Sequence, residues 1–155
     1  MNKKLILAII ICVMFVGAVM VFAKPEKSIR DLDLNSILPA PIMEGVSIPA
    51  PEYADLNNDG KEEALVVYCY GASCGGINYF VLGVNEQKPG ILYEGSAGHD
   101  VPTIVENTIV YETFDPDIPI NKGKSVAEMF YDKKHIIYFN GTKFNEKTVN
   151  LTKND

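Results

Sequence analysis

Oxygen-bearing side chains alternate along residues 55–63, a stretch that reads Asp-Leu-Asn-Asn-Asp-Gly-Lys-Glu-Glu. Its first, third and fifth positions are Asp55, Asn57 and Asp59, and the ninth is Glu63. Calcium takes about six to eight oxygen ligands, which carboxylates and amides supply. The glycine at the sixth position allows the chain to turn sharply between these ligands. The spacing therefore predicts a calcium-binding loop, which we call the acidic loop.

Two other interpretations of the acidic loop follow from the same residues. An EF-hand would need a bidentate Glu at position twelve, but that position is Val66, so the EF-hand pattern does not apply. A solvated acidic turn would use Asn58, Asp59 and Gly60 only for their backbone geometry. The calcium loop and the solvated turn both remain open at this point.

The pattern Asp-x-Asn-x-Asp-Gly-x-x-Glu ahead of a hydrophobic strand resembles the calcium loops of FG-GAP and VCBS-type repeats in integrin-like proteins. The resemblance covers residues 53–70 and implies that the loop joins two strands. The ligands that it implies are the side chains of Asp55, Asn57, Asp59 and Glu63 and the main-chain oxygen of Lys61. The chain departs from the family in having Glu at position 63, where Asp is more frequent. It also carries a single copy of the loop, whereas a propeller needs several similar units.

The N-terminal residues have the pattern of an export signal. Lys3 and Lys4 precede an apolar run over residues 5–23, which ends in Val-Phe-Ala. A positive start, a hydrophobic segment and a small residue at the end are typical of a signal peptide. The run is also close to the length of a membrane-spanning helix, so residues 1–23 form either a signal peptide or an uncleaved anchor. Both alternatives predict an extracytoplasmic location, with membrane contact only through this segment.

The rest of the chain is acidic. Of the 155 residues, 14 are Lys or Arg and 20 are Asp or Glu. Without Lys3 and Lys4, 12 basic residues face 20 acidic ones, which gives a net charge of −8. A nucleic acid would be repelled by such a surface, and no basic patch interleaved with aromatic residues is present in the sequence. The composition excludes nucleic acid as a partner and favours capture of a cation.

Cysteines and histidines suggest two further features. Cys69 and Cys74 are predicted to form a disulfide, because an oxidising compartment favours it and the glycines around them let the chain reverse. The only histidines are His99 and His135, too few for a His-rich zinc site. His99 with the adjacent Asp100 could act as a base and its orienting acid toward Ser73 or Cys74. That arrangement is the basis of an alternative, hydrolase-like interpretation.

Short runs of β-branched and aromatic residues predict a mostly β domain over residues 52–155. The strands are expected at residues 64–70, 77–84, 91–94, 102–105, 108–114, 135–139 and 142–144. Glu106-Asn107 and Asn140-Gly141 are expected to form hairpin turns. Ser125 and Glu128 have capping-box spacing, which favours one short helix within residues 121–134, although the same residues would also suit another strand. The expected architecture is an antiparallel meander, a small sandwich or a propeller-blade-like sheet.

Residues 24–51 are rich in proline and are expected to form a linker, within which residues 29–38 suit a short helix and a strand equally well. The whole pattern predicts an exported or membrane-tethered, non-catalytic calcium-binding β module that binds a protein or a glycan. The alternative is an envelope hydrolase or an enzyme inhibitor in which calcium is purely structural.

Overall fold

The protein is represented by a computed structural model that describes residues 27–39, 50–69, 76–85 and 88–151. These residues contain eight strands: β1 (Glu52–Ala54), β2 (Glu63–Cys69), β3 (Ile77–Asn85), β4 (Lys88–Gly98), β5 (Thr103–Val105), β6 (Thr108–Thr113), β7 (Lys133–Phe139) and β8 (Phe144–Asn150). Sheet A has the order β1-β2-β3-β4 and sheet B the order β5-β6-β7-β8, and all neighbouring strands are antiparallel. The predicted mostly β, antiparallel fold class is confirmed.

The inner faces of the two sheets pack against each other and form the main core. Sheet A contributes Leu65, Val67, Tyr79 and Val81, and sheet B contributes Ile109, Tyr111 and Ile137. Alternate residues of a strand point to the same face, so these positions follow from the register of the sheets. Tyr79 fits because Gly95 lacks a side chain: a Cβ at Gly95 would lie 2.4 Å from the Tyr79 hydroxyl. The core thus holds the two sheets together as layers.

The outer face of sheet A is covered by residues 27–39, part of the predicted linker. Ile29 and Leu38 are buried there against Ala64, Val66, Phe80 and Leu82. The segment forms 3₁₀ turns at Ile29–Asp31 and Leu34–Ser36. The side chain before each turn, Ser28 or Asp33, accepts a hydrogen bond from the second N–H group of that turn. The undecided stretch 29–38 is therefore neither an α-helix nor a strand. Its apolar side chains are what dock it on the sheet.

The predicted short helix within residues 121–134 is reduced to one 3₁₀ turn, Val126–Glu128, with the expected capping box. Asn121 explains why the segment does not extend into a longer helix. Its buried amide accepts from Phe130 N at 2.6 Å and donates to Phe130 O at 2.8 Å. These two bonds close residues 121–130 into a loop.

The two predicted hairpins form, with one difference in length. Glu106 and Asn107 make a two-residue turn with φ angles of 48° and 59°. At the second hairpin the turn comprises residues 140–143, because the pair that closes it is Phe139 and Phe144. The Asn140 side chain accepts from the N–H groups of Thr142 and Lys143, which makes the turn longer than Asn140-Gly141 alone. The expected strand at 142–144 is therefore displaced to Phe144–Asn150.

In the part of the chain that the structure describes, no helix has the length and apolar character needed to cross a membrane. The predicted signal peptide or anchor, residues 1–23, lies outside the described residues.

Candidate metal site

The acidic loop connects β1 to β2, two antiparallel neighbours of sheet A. Ala54 and Glu63 are paired across the base of the loop, so the intervening residues must reverse the chain. Leu56 is 2 % exposed and belongs to the main core, which anchors the start of the loop. Asn58 and Gly60 have φ angles of 58° and 84°, a region that Asn tolerates and Gly adopts freely. The loop therefore joins two strands.

Side chains of the loop turn inward and accept its own N–H groups. Asp55 accepts from Asp59 N at 3.1 Å and from Gly60 N at 3.0 Å. Asn57 Oδ1 accepts from Asp59 N at 2.9 Å, and Asp59 Oδ1 accepts from Lys61 N at 2.9 Å. These bonds satisfy backbone donors that have no strand partner and fix the direction of three side chains.

Glu63 lies at the base of the loop and is only 2 % exposed. One carboxylate oxygen accepts from Leu56 N at 2.8 Å, and the other accepts from Asn57 Nδ2 at 2.9 Å. The pKa of Glu63 is raised to about 7, chiefly by burial and also by the nearby charges of Asp59 and Asp55, against the opposing effect of the hydrogen bonds from Leu56 and Asn57. Gly83 makes room for this side chain, since a Cβ there would lie 3.2 Å from Glu63 Cγ. Near neutral pH the carboxyl group thus exists in both protonation states.

The structure brings together four of the five predicted ligand residues through their side chains: Asp55, Asn57, Asp59 and Glu63. Lys61 stands beside them in the loop through its backbone. Asn57 Nδ2 donates to Asp59 Oδ2 at 3.2 Å as well as to Glu63 Oε1, so the amide bridges two carboxylates. Among the described residues, no three His, Cys, Asp or Glu side chains are arranged to hold a metal ion. The donor types suit calcium, whereas the carboxylates are held apart by the Asn57 amide.

A cleft of about 290 Å³ opens beside the acidic loop. Asn57 and Asp59 form part of its wall, and the turn between β7 and β8 contributes Thr142 and Lys143. The cleft therefore lies where an end of sheet A meets an end of sheet B. The sequence gives no indication of it, because its walls are far apart along the chain.

His99 and Asp100, the base and the acid of the alternative hydrolase interpretation, each contact other residues. The His99 ring stacks on Phe114 with a centroid distance of 5.6 Å. Asp100 accepts from Val101 N at 2.9 Å and from Glu112 N at 2.6 Å, and no hydrogen bond joins it to His99 within the described ranges. Ser73 and Cys74 lie outside the described residues, so the predicted disulfide of Cys69 with Cys74 stays a prediction.

A second polar cluster, which the sequence analysis missed, lies on sheet B. His135 Nε2 is 2.8 Å from Thr113 Oγ1, and His135 Nδ1 is 2.5 Å from Glu146 Oε1. The imidazole also stacks on Tyr111 with a centroid distance of 4.6 Å. Because His135 pairs with Tyr111 on one side and Thr148 on the other, the strand register sets this geometry. Only the pairing of β6, β7 and β8 could have revealed the cluster.

No protein-family model, curated protein or solved structure matches this chain significantly.

Proposed function

We propose that the protein is an exported or membrane-tethered, non-catalytic β module whose acidic loop binds calcium. The ion would fix the loop as part of a surface that binds a protein or a glycan. The observation that carries this proposal is the Glu63 carboxyl group, buried at the base of a loop that also contains Asp55 and Asp59. A buried carboxylate near two others is unfavourable unless a cation or a proton offsets its charge.

The ligands of the ion would be the side chains of Asp55, Asn57, Asp59 and Glu63, with the main-chain oxygen of Lys61 as the resemblance to FG-GAP and VCBS-type loops implies. A bound calcium ion would offset the negative charges of the three carboxylates. Two changes would accompany binding. Glu63 would lose its proton, and the Asn57 amide, whose nitrogen now donates to Asp59 and Glu63, would turn so that its oxygen faces the ion.

Export is supported by the N-terminal pattern and by the acidic composition of the remaining chain. Extracellular modules bind calcium with dissociation constants of about 0.1 to 1 mM, which suits a compartment with millimolar calcium. The loop would then be largely occupied outside the cell. The ion has a structural role in this proposal, since the hydrogen bonds accepted by Asp55, Asn57 and Asp59 all hold the backbone of the loop itself.

Calorimetric titration of calcium tests the proposal. We expect the wild-type protein to bind one ion and the Asp59→Ala variant to bind at least about tenfold more weakly, since one charged ligand is lost. Asp117→Ala is the matched control, because Asp117 is exposed and lies outside the loop. Equal heats for wild type and Asp59→Ala would show that the acidic loop is not a calcium site.

The hydrolase alternative is favoured by one observation, the row of Thr113, His135 and Glu146. A hydroxyl, a base and an orienting acid within hydrogen-bond reach are the usual signature of an activated nucleophile. Hydrolysis of p-nitrophenyl acetate tests it, with Thr113→Val as the inactive variant and the exposed Thr142→Val as the control. Equal rates for wild type and Thr113→Val would reject this second candidate.

A further inference from the structure

The cleft beside the acidic loop has an apolar floor made by side chains of both sheets. Leu92 comes from β4, and Phe139 and Phe144 close the β7–β8 hairpin. The two phenylalanine rings meet edge to face with a centroid distance of 5.3 Å. All three side chains are half-buried, so part of each remains open to the cleft. Such a floor suits the less polar face of a small ring.

Polar groups surround this floor, and their charges balance. Asp59 lines the cleft from the acidic loop, and Lys143 lines it from the opposite sheet. They make no ion pair with each other or with any other residue in the described ranges. With calcium bound, the three carboxylates of Asp55, Asp59 and Glu63 would still leave one negative charge on this wall, opposite the positive Lys143. Such a pair of walls favours a ligand without net charge, because an ion of either sign would face one like charge.

Several of the polar groups are free to bind a ligand. The side chains of Asn85, Thr142 and Lys143 make no hydrogen bond within the part of the chain that the structure describes, and all three are exposed. An Asn amide both donates and accepts, and a hydroxyl does the same. Together they match a ligand whose own groups both donate and accept, as the hydroxyl groups of a sugar do.

The walls of the cleft are held in place before any ligand binds. On one side, the hydrogen bonds of Asp55, Asn57 and Asp59 fix the acidic loop. On the other side, Asn140 accepts from two N–H groups of its turn. A preformed site loses less conformational entropy on binding than a mobile one.

We propose that this cleft binds a neutral saccharide, with one sugar ring on the floor of Leu92, Phe139 and Phe144 and its hydroxyl groups toward Asn57, Asp59, Asn85 and Lys143. The cleft volume of about 290 Å³ is near the lower end of ligand pockets, which suits one ring of a longer chain. The inference rests on the proposed function, since calcium in the acidic loop would hold Asn57 and Asp59 in the wall. It names the ligand class as a neutral glycan rather than a protein.

Amide chemical-shift mapping by NMR tests the proposal on the full chain in phosphocholine micelles, which carry no sugar, with calcium present. The probes are maltotriose, cellotriose, chitotriose, mannotriose and, as a charged counterpart, trigalacturonic acid. We expect at least one neutral trisaccharide to shift the signals of Asn85, Phe139 and Lys143 and to approach saturation at about 10 mM, as a millimolar dissociation constant requires. Trigalacturonic acid should bind at least about fivefold more weakly, because its carboxylates would face Asp59 and the acidic surface.

A pair of matched variants sharpens the test. Asn85→Ala removes an exposed amide of the cleft and should weaken saccharide binding at least about fivefold, because sugar hydroxyl groups lose a partner. Asn150→Ala removes an exposed amide at the far end of β8 and should leave binding unchanged. The proposal is overturned if no neutral trisaccharide shifts the cleft signals, if the shifts lie elsewhere, or if both variants bind as wild type does.

Calcium titration of the same sample separates this proposal from the one on which it rests. Heat of calcium binding without any saccharide shift would overturn the glycan site and leave the calcium loop standing. Saccharide shifts at the cleft without any calcium heat would support the glycan site and overturn the calcium loop.

Discussion

Sheet A is covered on both faces, whereas sheet B is covered on one. In β2 the first five residues, Glu63 to Val67, are all buried, and so are Tyr79 to Gly83 in β3. In β8 the last five residues are exposed. The difference arises because residues 27–39 pack on the outer face of sheet A, while the described residues provide no such cover for sheet B.

The inner faces also differ, because a carboxylate in the middle of sheet A is buried and one on the edge strand of sheet B is partly exposed. Glu63 begins a strand of the covered sheet, and burial raises its pKa to about 7. Glu146 lies in β8 of the open sheet, where its side chain is 37 % exposed and faces His135. Burying a charged carboxylate such as Glu63 is therefore unfavourable, and a bound cation would stabilise it more than it would stabilise an exposed carboxylate.

The largest expected effect comes from truncating a core side chain of sheet A. Leu65→Ala, at a residue that is 1 % exposed, should lower the free energy of unfolding by about 4 kcal/mol, because it leaves a cavity between the sheets. Val149→Ala, at a residue of sheet B that is 37 % exposed, should change it by less than about 0.5 kcal/mol. Urea denaturation measures both. Similar losses for the two variants would contradict the contrast between the sheets.

The next largest effect is a pH dependence that belongs to Glu63. Its raised pKa means that the folded state binds more protons than the unfolded state between pH 4.5 and about 7. Without calcium, stability should therefore fall as pH rises through this window, by about 3 kcal/mol at most, since one pKa unit corresponds to about 1.4 kcal/mol.

Glu63→Gln should remove this contribution, which urea denaturation at pH 5 and pH 8 in the presence of a chelator would measure. Glu62→Gln is the matched control, since the neighbouring Glu62 is paired with Arg30 at the surface. An unchanged pH profile in Glu63→Gln would show that the carboxyl group is solvated.

Removing the cover of sheet A should have a smaller effect. Ile29→Ala should lower the free energy of unfolding by about 2 kcal/mol, because Ile29 is 2 % exposed and packs on the outer face. It should also speed amide hydrogen exchange in β2 and β3 relative to β6 and β7. The exposed Lys27→Ala is the control. Unaltered exchange in β2 and β3 would mean that the segment does not protect the sheet.

The smallest expected effect concerns the ion pair at the edge of this cover. Arg30 donates two hydrogen bonds to Glu62 and lies over the Tyr53 ring, 4.2 Å from its centroid. The pair raises the pKa of Arg30 and lowers the pKa of Glu62 through their hydrogen bonds, yet both side chains are largely exposed. Arg30→Gln should change stability less than any of the test variants above, and the change should shrink in high salt. A larger, salt-independent loss would show that the contact is not a surface pair.

Some of the fold could be predicted from the sequence because local chemistry dictates it. The runs that form β2 and β3 are β-branched and aromatic, and Asn140-Gly141 marks a hairpin. β8 was largely missed, because its Asn, Glu, Lys and Thr residues are exposed and its strand conformation depends on pairing with β7. The docking of Ile29 and Leu38 was missed because the apolar residues of this segment suit a helix and a strand equally well, so their spacing does not indicate which side packs.

The candidate site, like the fold, could be predicted from the sequence only in part. Spacing alone predicted that Asp55, Asn57, Asp59 and Glu63 share one loop, and the structure brings their side chains together. Spacing could not predict that Glu63 is buried, since this depends on Gly83 in another strand and on Leu56, which belongs to the core between the sheets. The direction of the Asn57 amide and the pairing of His135 with Glu146 likewise depend on contacts between distant residues.

Proton release on calcium binding tests the central claim most directly, because only a ligand that is partly protonated at neutral pH can release a proton. The measurement is calcium titration at pH 7 in buffers of different ionisation enthalpy. With the pKa of Glu63 at about 7, wild type should release about half a proton per ion, and release should rise toward one at lower pH. Glu63→Gln should release none. Calcium binding with no proton release in wild type, or no calcium binding at all, would contradict the account.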